Sequence, residues 1–477
     1  MYLGIDIGTG SLKAMVVADD GSVVASAKES YDTLDLSAAT ADVDPLIWWE
    51  VGRRAVRRLT ASVGPSIDAV AVTGQMHGIV LTDADGSPVR EAILWPDQRA
   101  HSVLDVFHAF HEDNPSTLGN PIVSGMAGPI LVWLARNEPE ALARATNVVQ
   151  PKDWFRMQLC RGGVVTDPSD ASATLLYDVV ADGWSDTACE AVGVSRDLLP
   201  PIQPSASVAG TVDSSVAEEL NLRSGIPVAV GAGDAPAALL GAGIEDTGQM
   251  LLNSGTGAQA ITPLAAPTIS DAPAMGLHQY RSASDSVRWY GMAAVVNGGL
   301  ALDWVRQQVR CEWDDVYAGV SQVLSAPYPD DPVFVPFLNR ERDPDLGHSS
   351  AGWTGLRLSH DRDALVRSAV RGVASYIGAR TRELMERTEV DSLVVAGGAS
   401  RHRQWVELLA TVLGREVRTA SAHHLTVRGA AVLAGRAVNH HLPVVPAGDT
   451  VGPRAGVQIG TTHFETVPTA ASAQSSA

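Results

Sequence analysis

Two stretches of the chain share one pattern of apolar and polar positions. An apolar run at residues 1–5 leads into Asp6-Ile7-Gly8-Thr9-Gly10, and a second run at residues 12–18 leads out, closing on Asp19-Asp20-Gly21-Ser22. Past the middle, residues 249–252 lead into Asn253-Ser254-Gly255-Thr256-Gly257 and residues 258–262 lead out. Each stretch is predicted to be a β-hairpin, the first followed by a tight turn at Asp20-Gly21. One such hairpin reads as an ordinary turn; its repetition with the same offset implies two related lobes.

Around these hairpins strand and helix periods alternate. Asp44-Pro45 opens a helix carrying Leu46, Trp49, Ala55 and Val56 or Leu59. Residues 67–73 read as a strand, and residues 78–81 begin a hairpin turned at Asp85-Gly86. Residues 99–207 are richer in helical and loop-like segments and read as an insertion that shapes a pocket. In the second half an amphipathic helix starts near Asp361, with Leu365, Ala369, Val373 and Ile377 on one face. A strand at 393–396 and helices at 403–413 and 426–438 follow. Residues 466–477, rich in Ala and Ser, are expected to be disordered.

At 477 residues and 45% apolar, the chain is long enough for two or three domains with large cores. A net charge of −19, with no Lys/Arg cluster to offset it, opposes nucleic acid and anionic membrane as partners. Cys160, Cys189 and Cys311 are scattered without metal-ligand spacing and read as buried, reduced thiols. No apolar run reaches membrane-spanning length, and the chain opens on a strand instead of a basic-then-apolar leader. It is therefore expected to be cytoplasmic, neither secreted nor membrane-spanning.

The hairpin turns carry the first chemistry. Glycine leaves backbone N–H groups unobstructed, so Thr9, Gly10, Gly255, Thr256 and Gly257 are candidate phosphate contacts. Neither turn is a P-loop, since neither ends in Gly-Lys-Ser/Thr and neither opens a helix. Asp6, directly before the first turn, would repel a phosphate unless a divalent cation lay between them, which implies Mg²⁺ held largely through water. The competing role for Asp6 is a turn-forming Asx residue. Its counterpart Asn253 is uncharged, so the metal is assigned to the first lobe.

Asp234 is the only charge between residues 226 and 244. A lone carboxylate in such a run needs a reason, because burying an unpaired charge is costly. It reads either as a helix cap or as a base at a strand-to-helix junction, placed to take a proton from a substrate hydroxyl. Gln75-Met76-His77-Gly78 and Trp95-Pro96-Asp97-Gln98-Arg99 combine apolar wall with polar groups suited to a small-molecule pocket. His77 can equally be a structural histidine, and Asp97 with Arg99 a structural ion pair.

These motifs resemble those of the FGGY carbohydrate kinases, which have the actin/hexokinase/Hsp70-like ATPase fold, and within them the xylulokinases. The resemblance runs from Tyr2-Leu3-Gly4-Ile5-Asp6-Ile7-Gly8-Thr9 to about Val438. It rests on Gln75-Met76-His77-Gly78, Ala92-Ile93-Leu94-Trp95, Pro151-Lys152-Asp153-Trp154, Thr166-Asp167-Pro168-Ser169-Asp170-Ala171-Ser172, residues 231–235 and Ala396-Gly397-Gly398-Ala399. It implies an α/β protein of two ribonuclease H-like lobes flanking a catalytic cleft. The N-terminal lobe would be 1–243, the C-terminal lobe 244–445, and 446–477 an extension.

The resemblance also implies roles. Asp234 would be the catalytic base, and Asp6 would lie at the Mg²⁺-ATP phosphates. Thr9, Gly10, Gly255, Thr256 and Gly257 would line the phosphate channel, and Gly397, Gly398 and Ala399 would form the glycine turn under the adenosine. Gln75, Met76, His77, Trp95 and Asp234 would bind sugar. Met76-His77 stand where glycerol kinases carry an Arg-Glu pair, which favours a ketopentose. The implied activity is ATP- and Mg²⁺-dependent phosphorylation of D-xylulose. Ribulose, glycerol or another polyol, or a non-catalytic regulator of the same fold, are the alternatives. The implied partners are sugar and ATP, without nucleic acid or membrane and with a homodimer left open. Departures from the family's pattern are Arg371, where an acidic residue is usual, the basic Ser400-Arg401-His402-Arg403, and Pro96 and Gln98 in place of commoner residues.

Overall fold

The computed structural model describes residues 1–31, 38–63, 66–160, 162–269, 276–284, 286–338, 351–457 and 459. The tail expected to be disordered, 466–477, lies outside these. Two seven-stranded sheets form the frame. The first is built from β1 (Tyr2–Ile7), β2 (Ser11–Val17), β3 (Val23–Ser30), β4 (Ala69–Gly74), β5 (Val208–Thr211), β6 (Pro227–Ala229) and β7 (Ala232–Gly233). Their order is β5-β6-β4-β1-β2-β3, with β7 paired to the end of β4. The second is built from β8 (Gly248–Ser254), β9 (Ala258–Leu264), β10 (Leu277–Arg281), β11 (Trp289–Val295), β12 (Val390–Ala396), β13 (Val417–Ala420) and β14 (Ala447–Val451), in the order β10-β11-β9-β8-β12-β13-β14.

The duplicated hairpins sit at equivalent places. β1 lies between antiparallel β2 and parallel β4, and β8 lies between antiparallel β9 and parallel β12. Asp6 pairs with Lys13 and Thr73 across the first sheet, and Asn253 with Gln259 and Ala396 across the second. β1 and β4 are buried along their whole length, hence their nearly unbroken apolar composition. β3, at the edge, is mostly exposed.

The segment near residues 78–81 forms the expected hairpin and gains a second partner. The turn is closed by Gly86 N–H donating to Asp83 O at 3.1 Å. Thr82 stands opposite Pro88, with Asp83 N–H donating to Ser87 O at 3.0 Å and Val89 N–H to Leu81 O at 2.9 Å, bonds that need no N–H from the proline. On its other side Val80–Thr82 pairs with Asn147–Val149 from the insertion.

The fifteen α-helices among the described residues include α1 (Pro45–Val63), α2 (Pro151–Leu159), α3 (Pro168–Ala171), α4 (Asp234–Ala242), α5 (Gly299–Gln308), α6 (Arg362–Met385), α7 (Arg403–Leu413) and α8 (Leu425–Ala437). Asp361 caps α6, its Oδ1 accepting from Ala364 N at 2.9 Å; Ala369, Val373 and Ile377 are buried as the periodicity predicts, while Leu365 is only half-buried.

α4 and α8 pack on each other, α4 touching both sheets and α8 covering the first. Ala235, Ala238 and Leu239 of α4 join a core with Leu251, Ile261, Val394 and Ala396 of the second sheet. Val427, Ala431, Leu433 and Ala434 of α8, from the second half of the chain, join Tyr2, Met15, Val17, Ala69 and Ala71 of the first. The crossing is close enough to exclude side chains. A Cβ on Gly241 would stand 1.9 Å from Leu425 O, and one on Gly429 would stand 1.9 Å from Ala237 O. Gly4 serves α8 in the same way, since a Cβ there would lie 2.2 Å from Val427 O. Gly429→Ala forces the helices apart and is expected to cost about 1–3 kcal/mol of stability. Urea unfolding of the variant would measure it, and a midpoint equal to wild type would refute the crossing geometry.

Candidate functional site

The two hairpin turns open into one cavity of about 670 Å³ lined by residues from both sheets. Gly8 N–H closes the first turn on Ser11 O at 3.1 Å, and Gly255 N–H closes the second on Gly257 O at 2.8 Å. Thr9, Gly10, Gly255, Thr256 and Gly257 all line the cavity. Different chemistry braces each turn. Tyr31 holds the first from both ends, its N–H donating to Gly10 O at 3.1 Å and its hydroxyl to Gly8 O. The N-terminus of α5 holds the second, with Gly299 N–H donating to Gly255 O at 3.0 Å and Leu300 N–H to Thr256 O at 2.8 Å.

Gln75, Met76, His77, Trp95 and Asp234 line the same cavity. Thr9 Oγ1 accepts from Trp95 Nε1 at 3.1 Å and donates to Gln75 Oε1 at 3.4 Å, which joins the first turn to the pocket wall. Gln75 Nε2 is a buried donor without a hydrogen-bond partner among the described residues. His77 is in the left-handed region at φ 74°, and its Nδ1 lies 2.9 Å from Ala173 O. A carbonyl only accepts, so Nδ1 carries the proton. The His77 ring also stands edge-on to Tyr280 at 5.5 Å. Met76 folds over Gly233, where a Cβ would lie 2.6 Å from its Cγ, and its sulfur accepts from the Tyr290 hydroxyl at 3.4 Å. Tyr280 and Tyr290 belong to β10 and β11, so the pocket wall of the first half rests on the second sheet.

Asp234 is the first residue of α4, half-buried, with Oδ1 accepting from Ala235 N at 2.7 Å. The N-cap position is held by Gly233, which corrects the reading of Asp234 as the cap residue itself. An acidic group in the first helical turn is stabilised as an anion by the helix dipole. The turn before it demands glycine: Gly231 has φ 90°, and a Cβ there would lie 2.0 Å from Val72 O.

Asp6 does not line the cavity. It lies buried behind the first turn, with Oδ2 3.3 Å from Lys13 Nζ and Oδ1 without a hydrogen-bond partner among the described residues. Burial pushes its pKa up, while the Lys13 charge and hydrogen bond work against that. Among the described residues no group of three or more His, Cys, Asp or Glu side chains could hold a metal ion. One orphaned buried carboxylate oxygen beside a phosphate-type turn fits a hard cation that keeps most of its water and takes further ligands from phosphate.

Gly397, Gly398 and Ala399 also stand outside the cavity lining, one strand over from the second turn. Gly397 has φ 92°, and a Cβ on it would lie 2.2 Å from Ser254 O. Trp405 Nε1 donates to Ser254 Oγ at 3.1 Å from the following helix, α7. Arg371 is structural: its Nη1 donates to Tyr328 O at 3.1 Å and its Nη2 to Pro332 O at 3.4 Å. Arg99 pairs with Asp97 at 2.8 Å and also bonds Asp42.

Tyr31, Gln259, Met292 and Ala294 line the cavity without having been picked out from the sequence. Gln259 had a signal, as a polar residue in the apolar run leaving the second turn. Tyr31, Met292 and Ala294 had none.

Residues 1–241 match the N-terminal domain, and residues 250–438 the C-terminal domain, of the FGGY family of carbohydrate kinases. The chain is 29% identical to the xylulose kinase of Escherichia coli (strain K12) over 422 residues, which covers 87% of this chain and 86% of that protein. It is 31% identical to the xylulose kinase of Streptomyces rubiginosus over 443 residues, 91% and 87% of the two chains. Its fold matches the crystal structure described as a "xyloylose kinase" from Brucella ovis with a TM-score of 0.85 at 27% identity, over 96% and 95% of the chains.

Proposed function

Because the chain belongs to the FGGY family of carbohydrate kinases, we propose that it transfers the γ-phosphoryl group of ATP to D-xylulose, giving D-xylulose 5-phosphate and ADP. An ATP-dependent sugar kinase is what the family provides; the acceptor is the finer step. The observation that carries it is that Met76 and His77 share one cavity with Asp234 and both glycine turns. The relatives named as xylulose kinases support the same acceptor.

In this reading the sugar hydroxyl donates to the Asp234 carboxylate, which takes its proton as the oxygen bonds to the γ-phosphorus and ADP leaves. The start of α4 favours the ionised base before transfer. The glycine turns offer backbone donors to the phosphates, in keeping with catalysis that is mainly positioning and electrostatics. Asp6 would hold Mg²⁺ through water, and Mg²⁺ when bound supplies charge neutralisation at the phosphates. Gly397, Gly398 and Ala399 would underlie the adenosine. Residues 1–243 and 244–445 would act as the two lobes, closing to exclude water. Its working compartment would be the cytoplasm; no described helix is long and apolar enough to cross a membrane.

Asp234→Asn is expected to lower kcat by about 10²-fold or more with ATP binding retained. Steady-state assay beside ATP titration checks this, and turnover above about a tenth of wild type would exclude Asp234 as the base. In a panel of ketoses and polyols D-xylulose should give the highest kcat/KM, and His77→Ala should raise the sugar KM more than the ATP KM. A clear preference for ribulose or glycerol would overturn the acceptor. Asp6→Ala should weaken use of Mg²⁺-ATP more than sugar binding, and an unchanged Mg²⁺ dependence would remove Asp6 from the metal.

A further inference from the structure

Behind the cavity lies a cluster of charge that the transfer reaction leaves unused. Lys152, in the first turn of α2, is sealed from solvent. Its Nζ lies 2.6 Å from Asp153 Oδ1 and 3.2 Å from both Asp167 Oδ1 and Asp170 Oδ2. Arg156 Nη1 donates to Asp153 Oδ1 at 2.7 Å, and Thr166 Oγ1 donates to Asp153 Oδ2 at 2.7 Å. Lys152, Arg156, Asp153, Asp167 and Asp170 are all buried.

Two cations and three carboxylates would leave a net negative charge away from water, which is unfavourable. The geometry puts that surplus on Asp170. Asp153 and Asp167 are ringed by donors, whereas neither Asp170 oxygen accepts a well-formed hydrogen bond among the described residues. Burial raises the Asp170 pKa well above the usual carboxyl range; Lys152 opposes this, and Asp167 and Asp153 add to it. Burial alone would depress the Lys152 ammonium, but its three carboxylate neighbours outweigh that and hold its pKa above the ordinary lysine value.

This cage grips the turn that delivers Asp234. Arg156 Nη1 also donates to Val230 O at 2.8 Å, and Gly231 N–H donates to Ser205 O at 2.9 Å. Gly233 N–H donates to Ser169 Oγ at 2.9 Å. The Ser169 hydroxyl donates in turn to Asp167 Oδ2 at 2.6 Å, an oxygen that also accepts from Ser205 Oγ at 2.8 Å. Ser169 is thus bonded both to the cage and to the residue directly before the base.

We propose that Ser169 is a positioning residue for phosphoryl transfer: anchored on Asp167, its hydroxyl fixes the Gly233 amide and so the direction in which Asp234 enters the cleft. This rests on reading Asp234 as the base. Removing the hydroxyl strands a buried N–H, and the turn must shift to satisfy it. A misplacement near 1 Å is enough to cost about 10²-fold in rate.

The test compares two deletions on the same carboxylate oxygen. Ser169→Ala is expected to lower kcat by about 10-fold or more, with sugar and ATP KM within about threefold of wild type. Ser205→Ala, which removes the other hydroxyl from Asp167 Oδ2 but leaves the Gly233–Ser169 bond, should keep kcat within about threefold. Ser169→Cys replaces the hydroxyl with a slightly larger, weak donor and acceptor, and should show the same split should the alanine variant not accumulate folded. Equal kcat losses at 169 and 205, or a rise in KM alone at 169, would make the role structural and overturn the proposal. So would a folded Ser169 variant with wild-type kcat. Each rate is a ratio to wild type on the acceptor that wild type uses best. A wrong acceptor therefore shows in the wild-type panel and leaves the ratio readable, and a wrong base shows in the Asp234→Asn rate.

Discussion

Charge sealed away from water must be balanced from within, and the Lys152 cage shows how much geometry that requirement fixes. Satisfying Lys152 brings the first turn of α2, the cap of α3 and the strand ends at Val230 and Gly233 into one rigid arrangement. Removal of any member would leave the others unmatched in low dielectric. Exposed pairs such as Arg357–Asp330 impose nothing comparable, because solvent screens them. The cavity therefore has a stiff floor on the side of Asp234, built from charges that never touch a ligand.

The two hairpin turns reach similar geometry by unlike means. A tyrosine spans the first, and a helix N-terminus supports the second. The difference follows their surroundings. The first turn has a buried carboxylate behind it, with Lys13 on the neighbouring strand offsetting part of its charge. The second has the neutral Asn253 at the equivalent position and needs no cation, so the duplicated frame carries two electrostatically distinct walls.

The features legible in the sequence were those that violate a local expectation. Repeated glycine turns, a lone aspartate in an apolar run and a Gln-Met-His triplet at a strand end each stand out against their neighbours, and the structure gathers them into one cavity. The strand and helix periods of β1, β8, α6 and α7 were equally plain. What stayed hidden depends on partners remote in sequence. Gly241 and Gly429 look like weak points within helices until α4 and α8 are seen to touch there. Met292 and Ala294 read as ordinary strand residues, and only the cavity they share with His77 and Met76 makes them pocket wall. Val80–Thr82 pairs with residues 147–149 of the insertion as well as within its own hairpin, a second partner that no local pattern announces.

The placement of α8 on the first sheet also sets an order of events during synthesis. The face of the first sheet that carries Tyr2, Met15, Val17, Ala69 and Ala71 waits for residues 427–434 before it is covered. A chain emerging from the ribosome can form its first hairpin at once, yet the N-terminal sheet keeps an uncovered apolar face until more than four-fifths of the polypeptide has been made. Contacts of such long sequence separation form slowly and leave partly folded chains prone to association. The nascent protein thus has its period of greatest exposure late in translation, and a fragment ending before α8 would lack the helix that completes its first core.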